Sequence, residues 1–95
     1  MITRIVKMHF FAENRAAFEK IFKQSAPKIR SFEGCLHVHL LNELQDNCRY
    51  FTYSHWENEA ALENYRNSEL FKTTWAKTKV LFDAPAEAWS TVQFE

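Results

Sequence analysis

With 95 residues and twelve acidic against twelve basic side chains, the chain is the size of one domain and carries no net charge to draw it to nucleic acid or an anionic membrane. A single glycine excludes the glycine-rich loops that cradle phosphates and dinucleotides, because each needs several residues that allow close backbone approach. No apolar run approaches the ~20 residues of a membrane span, and Met1 leads straight into a strand-like segment, so the expectation is a cytoplasmic protein without a targeting sequence.

Ile2 to Phe11 reads as a first strand, with Ile2, Val6, Met8 and Phe10 on one side and Ile5, His9 and Phe11 on the other. Apolar residues on both sides predict a central strand. From about Ala12 the period becomes helical, with Ala17, Phe18, Ile21 and Phe22 in one stripe and charged residues opposite. Pro27 interrupts this helix, and Ser25-Ala26-Pro27 predicts an N-cap followed by a short second helical piece. Gly34 then supplies permissive backbone where helix turns to strand.

Cys35 to Glu43 alternates as a second strand, and Tyr50 to Trp56 is its β-branched and aromatic hairpin partner. Asn58 is placed to cap a helix carrying Leu62 and Tyr65, and Ser68 to cap another, running to Phe82 with Phe71, Thr74, Trp75 and Thr78 at helical spacing. Pro85 ends it, and Ala86 to Phe94 is a final strand. Strand, helix, strand, strand, helix, strand is the ferredoxin-like βαββαβ plan, an α+β fold with helices on one face of a four-stranded antiparallel sheet. The whole chain is one domain.

A hairpin loop at Leu44–Asn47 sets the expected register. It places Cys35 opposite Trp56, His37 beside Ser54 and His39 beside Thr52. Cys35, His37, His39 and Leu41 then share a face with Tyr50, Thr52, Ser54 and Trp56, while Leu36, Val38 and Leu40 share the other with Phe51, Tyr53 and His55. Neither face is a charged solvent surface, so the face without helices is expected to pack against a second copy in a symmetric homodimer. Cys35 and Cys48 fall at opposite ends of the hairpin, beyond disulfide reach, and their spacing fits no zinc pattern.

With its elements in this order, the chain resembles the antibiotic biosynthesis monooxygenase (ABM) domain family of dimeric α/β barrels. The residues carrying the resemblance are the Phe32-Glu33-Gly34-Cys35 turn, the strand end Ser54-His55-Trp56, and Ala61-Leu62 followed by Tyr65 to Phe71. The family includes cofactor-independent oxygenases of aromatic polyketides, haem-degrading enzymes and signal-molecule isomerases. The haem degraders have a ligating histidine where this chain has Trp75, and an indole cannot ligate iron. The polyketide oxygenases have a pocket tryptophan that corresponds to Trp56, whereas their strand asparagine falls at about Thr52.

If Trp56 faces the helices, as that resemblance implies, so do His37, His39, Thr52 and Ser54. The leading expectation is a cofactor-independent monooxygenase acting on a small aromatic or phenolic molecule. In it His37 or His39 is the base, Trp56 and Trp75 wall the pocket, Thr52 and Tyr65 supply hydrogen bonds, Ser54 joins the substrate-binding residues, and Arg66 stabilises an anion at the mouth. No cofactor and no metal are called for. The alternative is a non-catalytic dimeric small-molecule-binding domain on the same scaffold.

Overall fold

Four antiparallel strands and three helices follow from the pattern just described, and the computed structural model describes all residues 1–95. The strands are β1 (Ile2–His9), β2 (Cys35–Asn42), β3 (Arg49–Trp56) and β4 (Glu87–Thr91). A single 3-10 turn, Ala12–Asn14, leads from β1 into α1 (Arg15–Arg30); α2 (Glu59–Arg66) and α3 (Glu69–Lys79) follow β3. The sheet order is β2-β3-β1-β4, the ferredoxin-like arrangement, with the helices on one face. β1 is central, as its two apolar sides require.

Both anticipated helix caps form: the Asn58 side chain accepts from the Ala61 amide, and Ser68 from the Phe71 amide. α1, by contrast, does not break at Pro27, which sits inside its last turn. Proline there removes only its own amide bond, and Ser25, instead of capping a new helix, donates to the Ile21 carbonyl one turn back. The last helix stops at Lys79 and the last strand at Thr91, each shorter than its apolar pattern.

The β2–β3 register departs from expectation by one residue. Asn42 pairs with Tyr50, and the Glu43 amide donates to the Arg49 carbonyl, so the turn is one residue longer than Leu44–Asn47. The Glu43 carboxylate holds this turn by accepting from the Gln45 and Asp46 amides. A bulge between Cys35 and His37 then absorbs the slip, so that Cys35 still faces Trp56 while His37 faces His55 and His39 faces Tyr53. Because side chains alternate with period two, one residue of slip turns the segment over. Val38 and Leu40 therefore point to the helices beside Ser54 and Thr52, and His37 and His39 point away.

The interior divides into two clusters. One gathers Ile2, Ile29, Val38, Trp56, Ala61 and Leu62; the other Met8, Phe10, Phe18 and Tyr50. Between them the sheet presents short side chains, Thr52 and Ser54 on β3 and Ala86 and Ala88 at β4, and the helices present Ser25, Thr74 and Thr78. Small residues facing small residues leave volume unfilled.

Candidate functional site

That unfilled volume is a partly enclosed cavity of about 380 Å³ between the sheet and the helices, within the range of small-molecule sites. Its helix-side wall is a run of aromatic rings. Trp56 stacks on Tyr65 with centroids 4.8 Å apart; Phe71 meets Tyr65 at 5.3 Å and Trp75 at 5.9 Å; Trp75 meets Phe82 at 5.5 Å. The spacing of Tyr65 on α2 and of Phe71 and Trp75 on α3 turns these rings toward one side of the helix pair.

The sheet supplies polar groups. The Trp56 indole Nε1 donates to the buried Ser54 hydroxyl at 3.0 Å, which fixes the plane of the indole. Thr52 opens on the same space. Burial pushes the Tyr65 phenol up to about 12, so it stays protonated across the working pH range and remains a donor.

Thr52, Ser54, Trp56, Tyr65, Arg66 and Trp75 all line the cavity. His37 and His39 do not. The bulge puts them on the opposite face, where their rings lie 3.6 Å apart, His55 lies 5.4 Å from His37, and Tyr53 lies 4.9 Å from His55. The expected placement of both histidines against the helices is thus corrected. On that outer face partial burial, then the neighbouring His39 and His55, hold His37 below the usual histidine range. No group of three or more His, Cys, Asp or Glu side chains has an arrangement that could hold a metal ion.

One cavity residue escaped the sequence reading. Arg4 lines the cavity from β1 and donates through Nη1 to Ser90 Oγ at 2.9 Å. The signal was present: Ile2, Arg4, Val6, Met8 and Phe10 share one side of a strand, and a guanidinium in such an apolar stripe is out of place. Burial, followed by repulsion from Arg66, lowers its pKa, and Glu63 opposes this.

A four-stranded ferredoxin-like sheet with an aromatic cavity under its helices defines a class of small α+β domains. Within that class the sequence pattern of the family described as antibiotic biosynthesis monooxygenase matches residues 1–77, and the chain belongs to that family. Solved structures agree in fold. The crystal structure of an antibiotic biosynthesis monooxygenase superposes with a TM-score of 0.93 at 16% identity, covering 100% of each chain. A conserved protein from Methanosarcina mazei gives 0.90 at 21% identity over 96% of this chain and 91% of its own. PA3566 from Pseudomonas aeruginosa gives 0.86 at 20% identity over 99% and 94%. No curated protein sequence matches. No helix is long and apolar enough to cross a membrane.

Proposed function

We propose that the cavity takes a small planar aromatic molecule and that the protein oxygenates it without a cofactor. The observation that carries this reading is the run of rings from Trp56 to Trp75 facing an unfilled space floored by Thr52 and Ser54. Flat walls select a flat ligand, and the hydroxyls fix its orientation. In the reaction, the enolate or phenolate of the substrate gives an electron pair to O2 and forms a C–O bond. The peroxide anion so formed takes a proton from water to give a hydroperoxide, whose O–O bond breaks as the remaining C–H proton leaves with the outer oxygen as water. A ring methylene thereby becomes a carbonyl, with one oxygen atom in the product and one in water.

The protein's part is positioning, exclusion of water, and stabilisation of the ionised substrate. The lining includes no histidine, aspartate or glutamate, and the Tyr65 phenol is too weak an acid to cycle near neutrality. The reading therefore favours substrates acidic enough to enter as anions. Oxygen-electrode assays with anthrones, hydroquinones and flavonols test it: uptake that Trp75→Ala reduces at least tenfold supports oxygenation. The absence of a general base in the lining also favours a second reading, a non-catalytic binding domain, for which the same compounds bind without oxygen uptake.

We further infer a homodimer through the sheet face turned away from the helices. Leu41 and Trp89 are each about half exposed there (49% and 47%), beside Tyr53 and the histidine cluster. An apolar patch of this kind on a small domain calls for a cover, and its own copy is the occupant that belonging to a dimeric-barrel family supports.

A further inference from the structure

The charges in the cavity point to a more specific ligand. Of the twenty residues lining it, only Arg4 and Arg66 carry formal charge, and both are positive. Arg66 is exposed and pairs with Glu63 at 3.5 Å, a solvated contact of little strength. Arg4 is half-buried and makes no ion pair; its one side-chain hydrogen bond goes to the neutral Ser90 hydroxyl, which leaves most of its five donors free. The two guanidiniums repel one another, offset only in part by Glu63 outside the cavity lining, an arrangement that an anion between them would relieve.

Position sharpens the point. Arg4 lies directly across from Ser54 on β3 and from Ser90 on β4, so it stands at the Trp56–Tyr65 end of the aromatic wall. Arg66 follows Tyr65 in sequence, at the end of α2. Both cations therefore flank one end of the surface against which a flat ligand would lie, and the far end, at Trp75 and Ala86, is uncharged.

Resting on the reading that the cavity holds a planar aromatic molecule, we infer that the ligand is an aromatic oxyanion. Its carboxylate, enolate or phenolate is held by Arg4 with Arg66, and its ring system extends along Tyr65 and Phe71 toward Trp75. A guanidinium fork matches a carboxylate in two parallel hydrogen bonds and a single oxyanion in one. In an enolisable substrate the same contact stabilises the anion, so that water or hydroxide can accept its proton where the lining offers no carboxylate or imidazole.

The test is a matched pair of ligands, 2-naphthoate and its neutral isostere 2-naphthamide, titrated by calorimetry at pH 7.5 into wild type, Arg4→Gln and Arg66→Gln. A charge-assisted contact corresponds to about tenfold or more in affinity. Wild type is expected to bind naphthoate at least tenfold more tightly than the amide. Arg4→Gln is expected to bring the two within about threefold while leaving the amide unchanged, and the exposed Arg66→Gln, which carries little folding risk, to narrow the gap severalfold. Equal wild-type affinity for the two ligands, or a gap that survives both substitutions, overturns the oxyanion assignment while leaving the aromatic cavity intact. Binding of neither ligand overturns both.

Discussion

The indole of Trp56 lies on the phenol ring of Tyr65, with centroids 4.8 Å apart and planes 25° from parallel. This pair joins the last inward residue of β3 to α2. Trp56 is almost wholly buried, and its Nε1 is satisfied by Ser54, so it holds the cavity's shape as much as it lines it. Trp56→Ala is expected to cost about 3–5 kcal/mol in urea unfolding. Trp75→Ala, at a half-buried position, should cost clearly less while still impairing ligand binding. Equal losses of stability would show that the two rings share one structural role.

Gly34 is the one residue with positive φ, +87°, and a Cβ there would overlap the Ala61 side chain. Its carbonyl also accepts from the Glu57 amide at 2.9 Å, tying the α1–β2 turn to the start of α2. Gly34→Ala should therefore destabilise by roughly 2 kcal/mol or more. Adding Ala61→Gly should recover only the part due to overlap, since the backbone conformation still disfavours alanine. Chemical denaturation of the two variants checks this.

His9 is held between two carboxylates, Nε2 on Asp46 at 2.8 Å and Nδ1 on Asp83 at 2.7 Å, and so ties the β2–β3 turn and the α3–β4 connection to the end of β1. The bonds to Asp46 and then Asp83 raise the His9 pKa. Its stabilising contribution is therefore full below the ordinary histidine value of about 6.5 and is lost as pH rises through the higher folded value. The bond from His9 lowers Asp46, so that contribution is present above about pH 4 and fades under acid. The clip should be strongest between these limits. Thermal midpoints at pH 6 and pH 9 should fall further in wild type than in His9→Gln; parallel profiles would contradict this.

The outer histidines predict the opposite dependence for assembly. Burial, then His39, His55 and Arg30, lowers the His37 pKa, with Lys7 and Glu87 paired on the same face and Tyr53 alongside. Covering that face with a second copy would take the three imidazoles further from water, so protonation opposes assembly and neutral rings permit it. Analytical ultracentrifugation at micromolar concentration should show a dimer at pH 8 and growing dissociation toward pH 5. The double variant His37→Gln, His39→Gln should hold its association across that range. A wild-type monomer at pH 8 would remove the dimer proposal.

Much of the architecture was legible because it rests on local chemistry. The Asn58 and Ser68 caps, the period change after Ala12 and the two-sided apolar character of β1 are each set by a few neighbouring residues. The side of the sheet on which His37 and His39 fall was not. It depends on the Glu43 carboxylate drawing the turn one residue longer and on a bulge restoring Cys35 to Trp56, and neither leaves a mark in the alternation of β2. Thr52, Ser54, Trp56, Tyr65, Arg66 and Trp75 all line the cavity: the family resemblance chose the face of β3, and β3 parity and helical spacing are unaffected by that slip. Arg4 was missed although strand parity alone places it beside Val6.

The cavity as a binding site is tested most directly by the indole N–H resonances of 15N-labelled protein. Trp56 and Trp75 line the cavity, while Trp89 sits on the outer face of β4 and serves as an internal reference. On titration with 2-naphthoate the Trp56 and Trp75 signals should shift together and saturate, and that of Trp89 should stay in place. Unmoved Trp56 and Trp75 signals at millimolar ligand, or equal shifts at all three, would contradict a ligand seated between the helices and the sheet.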